Sequence, residues 1–151
     1  MIHMDNIITR PIEITDYHKE YLSLLTQLTT LEVDKISLDD FSNFVQHLSM
    51  RHQIIVMEDI IHEKIIGTIT ILIENKLIHT MGKVCHIEDV VVDKAVRGQG
   101  IGKKLIDHAK EVAKVHDCYK IILDCGSHNV EFYEKCGFSI KGSLMAEYLD
   151  H

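Results

Sequence analysis

The chain has 151 residues and a formal net charge of −7, with 46% of its residues hydrophobic and 26% charged. That length holds one domain with room for a core, and the abundance of Ile, Leu and Val excludes disorder as a general description. The acidic balance excludes a chain-wide positive field for nucleic acid or an acidic membrane, so an anionic ligand has to be held by local donors.

Ile7, Ile8 and Thr9, before the single proline Pro11, read as a short first strand. Tyr21, Leu24, Leu25, Leu28 and Leu31 recur at helical spacing and predict a helix over 17–31. Ser37, with Asp40 three positions on, has the form of a capping box that opens a second helix carrying Phe41, Phe44, Val45 and Leu48. Three runs rich in Ile and Val, Gln53–Glu58, Lys64–Glu74 and His86–Val92, predict strands, with His62-Glu63-Lys64 as the turn between the first two. A glycine-rich turn then leads into a helix over 103–116, on which Leu105, Ala109 and Val112 share a face. Lys120–Cys125 predicts a buried strand, Asn129 is placed to cap a short helix through Cys136, and Phe138–Ile140 and Met145–Leu149 predict closing strands. The order β-α-α-β-β-β-α-β-α-β-β is that of an α/β protein with a mixed central sheet flanked by helices, in a single domain over 1–151.

The four cysteines, Cys85, Cys118, Cys125 and Cys136, include no CxxC pair, and nothing resembles a secretory signal; they read as reduced thiols of a cytoplasmic protein. Among 11 histidines, His62-Glu63 begins like a zinc-protease motif, but Ile66 stands where the second His belongs, so no metal is expected. No apolar run of about 18 residues occurs that would predict a membrane span.

The sharpest local feature is Arg97-Gly98-Gln99-Gly100-Ile101-Gly102 between a strand and a helix. A turn of this kind exposes unpaired N–H groups at the positive end of the helix dipole, and its glycines let a diphosphate approach the backbone. A P-loop would need Gly in place of Arg97 and Ser or Thr in place of Lys104, and a dinucleotide fingerprint would need Gly in place of Lys103. The plain alternative is a flexible turn, but three glycines in five residues beside Arg97, Lys103 and Lys104 favour an anion site.

The pattern Arg97-x-x-Gly100-x-Gly102 resembles the acetyl-CoA signature of the GNAT N-acetyltransferases, and the order of elements is similar to a GNAT domain over nearly the whole chain. Several stretches also resemble the glucosamine 6-phosphate N-acetyltransferase branch of that family: Leu28-Thr29-Thr30, Lys76-Leu77-Ile78-His79, Cys85–Val90, Cys118–Cys125 and Asn129–Phe138. That similarity is strong from Lys76 to Phe138 and weaker before Gln53. It implies acetyl-CoA as co-substrate along Val90, Val91 and Val92 and the loop Arg97, Gly98, Gln99, Gly100, Ile101, Gly102 and Lys103, with Asn129 and Tyr133 further on. It implies an amino-sugar phosphate near Thr29, Lys76, Leu77, Ile78, His79, Glu88, Asp89 and Asp124. Direct transfer without an acyl-enzyme, a homodimer and a step toward UDP-N-acetylglucosamine are further implications, and they make the four cysteines packing residues. The family's last strand carries an arginine for the substrate phosphate. The tail Met145–His151 has none, which leaves Lys76, His79, Lys83 and Arg51 as candidates.

The roles also have a physical basis. An attacking amine must be neutral and close to the thioester carbon. Asp124, at the end of an apolar strand, is placed to orient it, or is simply a strand-end charge facing water. Strand alternation turns one of Glu88 and Asp89 inward, to hold sugar hydroxyls or to pass a proton through water. Tyr133 is placed to protonate a departing thiolate, or is a core aromatic beside Phe132. Two other readings remain: a GNAT enzyme with another amine acceptor, and a non-catalytic acyl-CoA-binding module.

Overall fold

The computed structural model describes residues 2–150. Its centre is a five-stranded sheet in the order β1 (Ile7–Pro11), β2 (His52–Asp59), β3 (Lys64–Asn75), β4 (Lys83–Val92) and β5 (Lys120–Ile122). The first four strands pair antiparallel and β5 lies parallel to β4. β2 and β3 are apolar on both faces, so both faces must be covered. On one face α4 (Ile101–Val115) sets Ile101, Leu105, Ile106, Ala109 and Ala113 against Ile55, Met57, Ile69 and Ile71. The approach is close at Gly67, where a Cβ would lie 3.2 Å from both Ile101 and Leu105. On the other face α1 (Tyr21–Leu25) and α2 (Leu38–Gln46) bury Tyr21, Leu22, Leu24 and Phe41 against Ile54, Val56, Ile65 and Val91. Two shorter elements complete the chain, a turn labelled α3 (Ile78–Met81) and α5 (Val130–Lys135).

The capping box at Ser37 forms as expected: its Oγ accepts from the Asp40 N–H at 3.1 Å, and its own N–H donates to the Asp40 carboxylate at 3.0 Å. The turn between β2 and β3 also falls as expected, with Glu63 in the left-handed region at φ 49°.

Three expectations are corrected. The helix read over 17–31 is only Tyr21–Leu25. Asp16 is fully buried against the Arg10 guanidinium (2.7 and 2.9 Å), which ties the preceding residues into a separate 3-10 turn, Ile14–His18. Glu20 then takes φ 61°, which breaks the two apart. The buried strand read over 120–125 is a three-residue, half-exposed edge strand, because among the described residues β4 is its only neighbour. No strand forms over 138–150: this segment has no pairing partner among the described residues, and Met145 and Tyr148 are 90% and 95% exposed.

Candidate functional site

The chain enters the glycine loop from β4 through a braced corner. Asp93 is buried, and its carboxylate accepts from the Ala95 N–H at 3.1 Å, opening a 3-10 turn over Lys94–Val96. Arg97 folds back so that its Nε donates to the Val92 carbonyl at 3.1 Å. Gly98 and Gly100 both have φ +81°, and a Cβ on either would meet nothing within 4 Å. Glycine is needed there for the backbone and not for crowding, and the outer face of the loop is open to a ligand. Gly102 differs: a Cβ would lie 3.1 Å from the Phe132 ring, so α5 packs against the start of α4. The first intrahelical bond of α4 runs from the Lys104 N–H to the Gly100 carbonyl, which leaves the N–H groups before it for an anion. Lys103 pairs with Asp107 at 2.8 Å, and Gln99 accepts from the Ile2 N–H at 3.0 Å. An open cradle of glycines at a helix N-terminus fits a pyrophosphate.

Beside the loop the sheet opens. β4 and β5 share only the pairs Val84–Lys120, Cys85–Ile121 and His86–Ile122. Beyond His86, β4 has no partner on that side among the described residues. The other edge of β4 is irregular as well: the register against β3 slips between Thr68 and Thr70, and Asp89 takes φ 48°. The slip interrupts strand alternation. Glu88 is half-buried and Asp89 exposed. Val90 and Val92 are half-buried and Val91 is buried under α1 and α2.

Three of the expected chemical residues gather at this opening. Burial, and then the charges of Asp124 and Asp89, raise the Glu88 carboxyl above its ordinary value. Tyr133, on α5, is half-buried between Phe132 (centroids 5.0 Å apart) and Phe138 (6.1 Å). Burial, and then the neighbouring Cys125, Cys136 and Asp124, push its phenol up to about 12. The Asp124 charge reaches both the Glu88 carboxyl and the Tyr133 phenol, and so links the two. Asn129 stands at the N-terminal boundary of α5, but its side chain makes no capping bond. Cys85 and Cys136 are buried and Cys118 half-buried, as packing residues should be; Cys125 is exposed beside the cluster and departs from that expectation.

The remaining expected acceptor residues lie elsewhere. Lys76–His79 belong to the turn joining β3 to β4. His79, Thr80 and Met81 are all left-handed, at φ 53°, 53° and 67°, a conformation that costs roughly 1–2 kcal/mol per non-glycine residue. His79 stacks on Tyr119 at 3.9 Å, and a Cβ at Gly82 would lie 2.8 Å from the same ring. Asn75 pairs with Lys83, so Glu88 sits about 17 Å further along β4 at a strand's usual rise. The candidate phosphate partners share this distant end. Lys76 pairs with Glu74 at 3.1 Å, and the Asn75 amide, oriented by its hydrogen bonds, accepts from Arg51 at 2.6 Å. Thr29 is exposed just beyond α1.

Sequence reasoning missed the Asp93 corner, the Gln27 side chain that reaches it, and the stack on Tyr119. The only local signal was a carboxylate closing the Val90–Val92 run.

Residues 16–138 match the acetyltransferase (GNAT) family, and the chain belongs to it. Within that family the chain is 40% identical to glucosamine 6-phosphate N-acetyltransferase 1 of Dictyostelium discoideum, covering 96% of this chain and 92% of the relative. It is 42% identical to the glucosamine 6-phosphate N-acetyltransferase of Candida albicans, over 90% of this chain and 91% of the relative. The crystal structure of the Arabidopsis thaliana glucosamine-6-phosphate N-acetyltransferase superposes with a TM-score of 0.91 at 38% identity, covering 95% of this chain and 99% of that one.

Proposed function

We propose that this chain, as a single domain, transfers the acetyl group of acetyl-CoA to the amine of D-glucosamine 6-phosphate, giving CoA and N-acetyl-D-glucosamine 6-phosphate toward UDP-N-acetylglucosamine. The observation that carries the reading is the Glu88–Asp124–Tyr133 cluster where β4 and β5 part, beside the open glycine loop. The loop Arg97–Lys103 holds the pyrophosphate, and Val90–Val92 and Asn129 line the rest of the CoA. Asp124 accepts a hydrogen bond from the amine and orients its lone pair toward the thioester carbon. The new N–C bond forms, the C–S bond breaks, the nitrogen's proton passes through water to Glu88, and Tyr133 gives its proton to the thiolate and recovers one from Glu88 through solvent. A carboxyl raised above its ordinary value accepts a proton near neutral pH more effectively than an ordinary one. The thioester is already activated, so no step draws on a metal.

Lys76–His79 lie further from Glu88 along β4 than a hexosamine phosphate can span, so we assign that turn to a neighbouring subunit's acceptor site. The exposed apolar tail, with Leu144, Met145, Tyr148 and Leu149, supports the homodimer this requires. Among the described residues no helix is long and apolar enough to cross a membrane; free thiols and an acidic surface support a cytoplasmic enzyme without a nucleic-acid partner.

The test is thiol release from acetyl-CoA. Glucosamine 6-phosphate should react on the order of a hundredfold faster than glucosamine, since two charge-assisted bonds to phosphate contribute ~1.5–3 kcal/mol each. Equal rates would favour the second reading, another amine acceptor, which the arginine-free tail supports. CoA binding with no turnover would favour a binding module.

A further inference from the structure

We propose that Gln27 is a positioning residue for the donor loop, a strut that reaches from the exit of α1 to the corner from which the glycine loop hangs. The inference rests on the reading that Arg97–Lys103 hold CoA.

Gln27 is exposed, and a glutamine in that position ordinarily turns its amide to water. Here both ends of the amide are committed to one place far away in sequence. Nε2 donates to the Asp93 carboxylate at 3.2 Å, and Oε1 accepts from the Lys94 N–H at 2.9 Å. Lys94 opens a 3-10 turn, so its N–H has no partner within that turn and Gln27 supplies one. Asp93 is itself pinned from β3: its N–H donates to the Ile66 carbonyl at 2.8 Å, and Lys64 meets its carboxylate at 3.1 Å. The corner is therefore held from two sides, by the sheet and by α1.

The glycine loop beyond the corner has less support, from the Arg97 bond to the Val92 carbonyl and the Gln99 bond to the Ile2 N–H. Gly98 and Gly100 carry no side chains and have open space around them. The placement of their N–H groups is set by the Asp93–Lys94 corner, by α4 and by the bonds of Arg97 and Gln99 on either side of Gly98. Releasing Gln27 frees one of the corner's two holds and lets the loop sample positions in which its N–H groups no longer converge. That loss falls on binding of the pyrophosphate; Glu88 on β4 and Tyr133 on α5 make no contact with Gln27 and keep their own supports. Thr29 comes two residues after Gln27, so the same strut joins the proposed acceptor side to the donor side.

The experiment uses the full chain and CoA alone as the probe. Gln27→Ala is expected to weaken CoA about tenfold by calorimetric titration and to raise the acetyl-CoA KM in proportion, with kcat within about twofold. Gln27→Glu is expected to do more, because it sets a carboxylate against Asp93. The double variant Gln27→Glu with Asp93→Asn is expected to recover part of the loss, since the new amide donates to the new carboxylate. A merely structural role would lower the thermal midpoint without separating KM from kcat. A change in CoA affinity below threefold in Gln27→Ala, or a double variant no better than Gln27→Glu, overturns the proposal; if Gln27→Glu does not fold, Gln27→Ala decides alone. Wild-type protein that binds CoA but leaves glucosamine 6-phosphate untouched would refute the acceptor, while the titrations would still decide Gln27.

Discussion

A phenol held near 12 remains protonated at every pH at which acyl transfer is assayed, so Tyr133 acts as a donor throughout. The hydrogen bond it gives strengthens as the thiolate develops. Tyr133→Phe should therefore lower kcat at least tenfold while the acetyl-CoA KM moves little, within the ~10²–10⁴-fold range of general acid catalysis. Turnover unchanged in a thiol-release assay would return Tyr133 to the role of a core aromatic. Glu88 permits a prediction of opposite kind. Its carboxyl is raised in the folded state, so the fold binds this proton more tightly than the unfolded chain does. Stability from this group is present below the unfolded value and is lost as pH rises through the raised one. Glu88→Gln should raise the thermal midpoint at pH 7 and lose that advantage near pH 4, while its turnover falls. A midpoint difference independent of pH would show that Glu88 is not raised.

At the scale of elements, the glycine loop and the β3–β4 turn solve different problems with the same residue. Gly100 is required by its left-handed backbone, Gly82 by the Tyr119 ring against it. Gly100→Asp adds strain and a negative charge where the pyrophosphate approaches, and should abolish CoA binding in a calorimetric titration; unchanged affinity would refute the loop assignment. Gly82→Ala keeps an ordinary backbone but drives a methyl into Tyr119, and should cost about 1–3 kcal/mol in a denaturant titration. The loop was legible in sequence because its cause is local: strand, glycines, helix. The turn was not, because its left-handed run is supported by Tyr119, whose contact no periodicity announces. The short α1 was missed for a related reason. Its apolar spacing begins at Tyr17, but the burial of Asp16 with Arg10 and the left-handed Glu20 cut off its start, and both depend on tertiary placement. The Gln27 strut spans 66 residues between donor and acceptor and has no signature at short range.

On the scale of the whole molecule, the sheet ends at a three-residue edge while an apolar tail extends clear of it. Alternation over Met145–Leu149 reads as a strand, yet a strand exists only with something to pair with. Tyr148→Asp combined with Leu149→Asp should convert the proposed homodimer to a monomer by sedimentation, preserving CoA binding and removing turnover of the sugar phosphate. A variant still dimeric and active would exclude the tail from the interface. The order of the sheet has one more consequence. β1 to β4 stand side by side in the order in which a ribosome releases them, three antiparallel pairings in succession, and only β5 waits for a crossover. Pairings between successive strands close shorter loops than distant ones. The four-stranded meander and its α1–α2 cover can therefore assemble while α4 and everything after it are still being synthesised. Two of the three residues assigned to chemistry, Asp124 and Tyr133, arrive last, on a platform that already carries Glu88. A nascent chain halted after Val92 would expose the β4 edge and the bare α4-side face of the sheet, and that interval in synthesis is where a chaperone would have most to protect.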